Sequence, residues 1–385
     1  MLKPIYRFFI AVLCGYLALG ATLQVLPIYM TTHFHASTFL IATIIAIASI
    51  AAAIARPFAG YIADNGLAKR TVLFGSILGI LGGVGHWLAG NLLILFGARL
   101  LLGAGEGVLF TAAVTWAITQ YPPAKRGAIA GWFGLSMWGG LCFGPILAAW
   151  VMNLTHNVTD VWVIVSILPL FGFILVCGMA LPDSKDFPTN INSQCFNSEQ
   201  FLPRGAIIPG VAFLLTSYGY GTINALLIIY LLQQRIGGEE LVLPLFAIAF
   251  LITRICCSQI VSRLGGKIVL LSVMTIEIFG LSLLTSVQLP FIVCGTILTG
   301  IGVALLYPAF VSVLLNSVAI NQQGKSIGFM TSFWDLGLVI AGPIGGLIAN
   351  YLGFQAVFIV AAGLSFLAFL IILILIQGRV AHASS

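Results

Sequence analysis

The sequence predicts an all-α membrane protein of twelve transmembrane helices, built as two parallel six-helix repeats around a central cavity. Three observations carry that prediction. Roughly twelve apolar stretches fill the chain almost from end to end, each close to the ~20 residues that a helix needs to cross a bilayer. Hydrophobic residues make up 60% of the chain and charged residues only 7%, too little charge for the surface of a water-soluble fold of 385 residues. Sliding one half over the other at an offset of 197–198 also superposes residues that chance would scatter.

The elements follow in order. The first span, 5–30, comes after Lys3 and ends before His33 and His35; it is too long for a signal-peptide core and lacks a small-x-small cleavage site, so it is expected to stay in the mature protein. Spans 38–63 and 71–89 flank a connection holding Asp64, Lys69 and Arg70, and 92–118 follows Asn91. Lys125 and Arg126 precede 127–153, and a polar run from Asn153 to Asp160 precedes 159–181. Residues 182–204 then bring Pro182, Asp183, Lys185, Asp186, Pro188 and several asparagines, the composition of a linker. It divides the chain into a half at 1–181 and a half at 205–385, whose spans are 205–234, 239–262, 267–286, 289–317, 324–350 and 353–377.

The offset places Arg56 on Arg254, Lys69 on Lys267, and Gly103 and Gly105 on Gly300 and Gly302. Gly127 lands on Gly324, Gly131 on Gly328 and Gly144-Pro145 on Gly342-Pro343. An even number of spans per copy gives both copies one orientation, related by an axis along the membrane normal.

The net charge of +6 reads as topology. Basic residues gather in alternate connections, whereas the intervening ones hold only Arg235. Both termini are therefore expected on the cytoplasmic side, with no nucleic-acid surface. Seven cysteines form no C-x-x-C pair and read as small apolar filler, and His33 and His35 as an interfacial loop, so neither a metal nor a cofactor is expected. The chain lacks a P-loop, H-E-x-x-H and G-x-S-x-G, so catalysis lacks its parts.

Between spans 2 and 3 stands G-Y-I-A-D-N-G-L-A-K-R, Gly60 to Arg70. Here the chain resembles the major facilitator superfamily, whose signature in the same loop is G-x-x-x-D-x-x-G-R/K-R/K. Gly60 and Gly66 allow close packing, Asp64 fixes a negative charge, and Lys69 and Arg70 are expected to anchor the turn at the lipid face. The resemblance implies that Asp64 bonds the amino end of helix 11, near Gly324-Lys325-Ser326. In the second half Ser258 and Ser262 replace the Gly and Asp.

The fourth span contains R-L-L-L-G-A-G-E-G, Arg99 to Gly107, similar to the family's R-x-x-x-G-x-G. Arg99 and Glu106, seven apart, share a helix face ~10.5 Å apart along the axis. Charges inside a span face a cavity or a partner; a proton-coupling role for Glu106 tuned by Arg99 stands beside a structural ion pair to a neighbouring helix. The resemblance puts helices 1, 4, 7 and 10 on the cavity, which favours Glu106. Asp335, about eleven residues into the eleventh span, is a second proton candidate, with pairing to Arg56, Arg99 or Arg254 as its alternative. Glu277 is expected to pair locally or stay protonated.

Spans 5 and 11 carry Gly131, Gly140, Gly144 and Pro145, and the close variant Gly328, Gly337, Gly342 and Pro343. The resemblance associates the span 5 version with exporters that exchange substrate for protons; packing alone is the other explanation. Phe110 and Tyr307, with Gln24, Tyr29, Asn224 and Tyr230, are candidates for a mixed aromatic and polar cavity wall. The function expected is proton-driven export of a small organic molecule across a bacterial cytoplasmic membrane by a functional monomer. The alternatives are proton-coupled uptake of a sugar, organic acid or amino acid, and export of a siderophore-like metabolite.

Overall fold

Backbone polar groups in hydrocarbon find no water, so an apolar chain must bond them within helices or a closed barrel. The structure, a computed structural model, describes residues 3–36, 38–179, 203–257 and 259–383, and among these the regular elements are helical. Helices α1 (Pro4–Phe34) and α2 (Thr38–Ile62) lead to a π-helical turn, Ala63–Leu67, then α3 (Ala68–Trp87), α4 (Leu92–Thr119), α5 (Pro123–Thr155) and α6 (Thr159–Cys177). The expected linker 182–204 lies outside the described residues except for Pro203 and Arg204. The second series is α7 (Arg204–Gln233), α8 (Glu239–Cys256), α9 (Gly266–Leu283), α10 (Leu289–Leu315), α11 (Gln323–Leu352) and α12 (Phe354–Ala383). A one-turn helix Ile260–Leu264 precedes α9, and a 3-10 turn Ile320–Gln322 precedes α11. Among the described residues ten helical runs are long and apolar enough to cross a membrane.

Local chemistry sets the ends. Pro4 opens α1, where a missing N–H costs nothing, and the Asn91 side chain caps α4 by accepting the Ile94 N–H at 2.9 Å. The expected span 239–262 is broken, because α8 stops at Cys256. Ser258 lies outside the described residues. Gly265, at φ 85° and ψ 145°, turns the chain into α9 with a backbone conformation that a side chain resists.

The chain forms two compact units. Unit 1 holds α1 to α4, α5 from Trp132 onward, α6, and α11 up to Ser332. Unit 2 holds α5 up to Gly131, α7 to α10, α11 from Phe333 onward, and α12. Helices α5 and α11 therefore each contribute residues to both units.

Lipid tails are as apolar as leucine, so helices in a bilayer associate through close van der Waals packing, and small residues permit it. Within unit 1 a Cβ on Gly105 would lie 2.7 Å from the Gly79 nitrogen, and one on Gly82 would lie 2.8 Å from the Leu102 nitrogen, so α3 and α4 meet backbone to backbone. Within unit 2 a Cβ on Gly295 would stand 2.6 Å from the Gly280 oxygen, the same device between α9 and α10.

Candidate functional site

Gly60, Asp64, Gly66, Lys69 and Arg70 occupy the end of α2, the π-helical turn and the start of α3, all in unit 1. Asp64 stands at the first turn of α11. Its Oδ1 accepts the Gly324 N–H at 2.7 Å and its Oδ2 the Lys325 N–H at 2.8 Å. A helix start presents free N–H groups and partial positive charge, so a carboxylate is the matching acceptor. Close approach is a condition for this bond. A Cβ on Gly60 would fall 2.1 Å from the Gly324 oxygen, and one on Gly324 would fall 2.2 Å from Thr115 Cγ2. Gly66 follows Asp64 by two residues where the family pattern has glycine three residues on; with φ 79° it reverses the turn.

Lys69 corrects the expectation of a lipid anchor. Its Nζ donates to the carbonyls of Cys177, at 3.2 Å, and Met179. Arg7 Nη1 donates to the Gly178 carbonyl at 3.0 Å, so two cations serve the carbonyl end of α6, where the helix dipole is negative. Arg70 is exposed.

The contact between α2 and the first ten residues of α11 continues along both helices. A Cβ on Gly328 would lie 2.3 Å from the Arg56 oxygen, and Ser332 Oγ donates to the Ala53 carbonyl. Arg56 is buried, and its guanidinium reaches α4: Nη2 lies 3.7 Å from Glu106 Oε1. The same nitrogen donates to the Tyr16 hydroxyl at 3.3 Å, and the guanidinium carbon lies 5.6 Å from the centre of the Phe110 ring. Helix α2 thus carries one residue on the Glu106 carboxylate and another on the start of α11. Beside Glu106 a space of about 10 Å³, bounded by Gly15, Gly75, Ser76, Gly79, Gly105 and Pro169, is near the least volume that holds one water.

Arg99 interacts electrostatically with Glu106, and its hydrogen bonds go to the neighbouring helices. Nη1 donates to the Thr22 hydroxyl at 2.7 Å, Nε to the Ile44 carbonyl at 3.3 Å and Nη2 to the Ile45 carbonyl at 3.1 Å. Two helical turns separate it from Glu106, and acceptors on α1 and α2 lie nearer. The ion pair to the carboxylate comes from Arg56, at 3.7 Å. Its signal in the sequence is an arginine inside an apolar span that recurs at the repeat offset.

Asp335 is buried in the unit 2 portion of α11, beside Trp334, whose ring stacks on Tyr220 with centroids 5.9 Å apart. Tyr29 and Tyr230 are each buried, and the hydroxyls donate to backbone carbonyls, Ala89 at 3.0 Å and Ser286 at 2.9 Å. Phe110 and Tyr307 are buried too, while Gln24 and Asn224 are exposed. Glu277 is fully buried, with neither carboxyl oxygen in hydrogen-bond geometry among the described residues.

The glycines of α5 and α11 mark close helix crossings. In unit 1 a Cβ on Gly140 would lie 2.4 Å from Tyr16 Cβ, and one on Gly144 would lie 2.7 Å from Gly20 Cα, seating α5 on α1 around Pro145. In unit 2 a Cβ on Gly131 would lie 3.0 Å from Pro308 Cβ, and one on Gly337 would fall 1.8 Å from Ser217 Oγ, seating α11 on α7.

Known proteins share this architecture. The Major Facilitator Superfamily model matches the chain over residues 8–276 and over 210–384. An uncharacterized MFS-type transporter of Pseudomonas aeruginosa (strain UCBPP-PA14) is 30% identical over 371 residues, 93% of this chain and 90% of that protein. The uncharacterized MFS-type transporter YhhS of Escherichia coli (strain K12) is 27% identical over 371 residues, 93% of this chain and 88% of that protein. The solved structure of the MFS transporter FucP in the outward conformation aligns with a TM-score of 0.79 at 17% identity, over 96% of this chain and 99% of that one. The human organic anion transporter MFSD10 aligns with a TM-score of 0.76 at 14% identity, over 97% and 100%. At such identities the structural likeness concerns the fold.

Proposed function

The chain belongs to the major facilitator superfamily, and on that premise we propose that it is a proton-coupled exporter of a small organic molecule that works by alternating access. The observation that carries the proposal is the Arg56–Glu106 pair. A carboxylate held by a cation in an apolar bundle has two states of similar standing: ionised and paired, or protonated and released. Protonation of Glu106 removes the charge that Arg56 faces. Because Arg56 rides on the helix whose end holds Asp64 on Gly324 and Lys325, a change at the pair reaches the start of α11 through one rigid element. Helices α5 and α11, which have residues in both units, would carry that change onward.

Twelve spans are supported by a simple count. The run Thr43–Trp87 contains α2 and α3, and Leu241–Cys256 is a shorter apolar helix, so the ten runs become twelve. The duplication is supported by Arg56 and Arg254, which are both buried 198 positions apart. Export, rather than uptake, is supported by the α5 glycines and Pro145 that resemble the exporter pattern. The basic loops support a cytoplasmic side for the Asp64 connection and both termini, in an inner membrane. Inside-out vesicles with an imposed acidic interior test the proposal: a solute that accumulates against its gradient as protons leave supports export. Proton movement in the same direction as the solute would replace export by uptake.

A further inference from the structure

Unit 2 holds a buried cation with no carboxylate paired to it among the described residues. Arg254 of α8 is buried, and it donates through Nη1 to the Ala304 carbonyl of α10, while Nε and Nη2 have no hydrogen-bond partner among the described residues. Its counterpart at the repeat offset, Arg56, faces Glu106. The same offset puts Val303 and Ala304 where Glu106 stands, so the first half supplies a carboxylate and the second supplies none. A buried guanidinium is costly unless something neutralises it.

Aromatic rings lead up to this cation. Phe250, one turn before Arg254 on α8, stacks on Phe246, with centroids 6.4 Å apart. Phe246 stacks on Tyr220 at 5.4 Å, Tyr220 on Trp334 at 5.9 Å, Trp334 lies 4.7 Å from Phe213, and Phe213 lies 6.3 Å from Tyr307. Tyr307 follows Ala304 by three residues, on the same face of α10. The two ends of the aromatic series, Phe250 and Tyr307, thus lie one turn along their own helices from the two residues of the Arg254–Ala304 contact.

We propose that Arg254 and this aromatic series form a binding site for an arylcarboxylate, whose anionic group supplies the charge that Val303 does not and whose ring joins the stack. This rests on the transporter proposal and names its substrate class. Arginine binds a carboxylate through two parallel N–H bonds, and Nε with Nη2 is one of the edges that offers such a pair. Burial of Arg254 in this structure means that the ligand enters in another conformation of the transport cycle.

The test is thermal stabilisation of the purified full-length protein in detergent by benzoate, phenylacetate and 1-naphthoate, each beside its primary amide, with acetate as the anion lacking a ring. Saturable stabilisation by at least one arylcarboxylate is expected, with its amide and acetate at least about tenfold weaker. Arg254→Gln should abolish the response, Arg254→Lys should retain it weakened, and Val303→Glu should remove it by filling the vacancy with a built-in carboxylate. A wild type that answers to no arylcarboxylate overturns the proposal, as does a response that survives in folded Arg254→Gln or Val303→Glu. If Arg254→Gln does not fold, Arg254→Lys and Val303→Glu decide. Proton-driven export of a neutral or cationic solute, unchanged in Arg254→Lys, would sink the arylcarboxylate site and leave the transporter proposal standing.

Discussion

Asp64 joins two helices through a single carboxylate. Two backbone amides on one carboxylate are charge-assisted bonds, and each is worth roughly 1.5–3 kcal/mol. Asp64→Asn keeps the side-chain shape but removes the charge, and one amide then faces an N–H₂ group. It should reduce transport strongly while normal amounts of folded protein reach the membrane, read by transport rate against the fluorescence of a fused reporter. A variant that fails to accumulate would make Asp64 a folding anchor. Arg99 belongs to the opposite class. Its three bonds tie α4 to α1 and α2, so Arg99→Lys, with one nitrogen for three acceptors, should lower stability by about 2–4 kcal/mol and leave the pH profile of transport unmoved. A shifted pH profile with unchanged melting would return Arg99 to the proton path. Chemistry of this kind is legible in the sequence only by residue type: Glu106, Arg99 and Arg56 declare themselves as charges in a span, but the pairing of Arg56 with Glu106 does not. Partnership depends on how two helices are rotated about their axes, and nearly uniform apolar sequence does not encode that rotation.

The glycines of α11 do not all serve one purpose, although they look alike in the sequence. A Cβ at Gly337 would meet Ser217 Oγ at 1.8 Å and the Leu214 oxygen at 2.6 Å, whereas at Gly346 nothing lies within 4 Å. Gly337→Ala should therefore cost about 1–3 kcal/mol, and Gly346→Ala should be neutral or stabilising by up to ~1 kcal/mol. Thermal melting in detergent compares the two, and equal losses would mean that α11 is not seated on α7 as described. Span boundaries are legible because hydropathy and caps such as Asn91 act locally. The early stop of α8 is not, since Ile, Cys and Thr there are apolar enough to continue the helix on hydropathy alone. The positive φ of Gly265 that follows is a property of the turn. Lys69 and Arg7 on the α6 carbonyls are likewise invisible to a scan that assigns basic residues to the lipid surface.

At the scale of the whole molecule, the proposed function requires a proton event in one place to alter packing in another. Helix α2 and the π-helical turn that continues it offer the link, with Arg56 on the Glu106 carboxylate and Asp64 on the amino end of α11, and α11 has residues in both units. The central claim of the proposed function is that Glu106 is the proton-linked group. Gln at 106 has the shape and hydrogen bonding of the protonated acid but carries no proton to exchange. The decisive measurement compares Glu106→Gln with wild type in proteoliposomes, first for accumulation driven by a pH gradient and then for substrate counterflow at equal pH. Loss of the first with survival of the second is expected; retained pH-driven accumulation in Glu106→Gln, with its loss in Asp335→Asn, would contradict it and move the proton to α11.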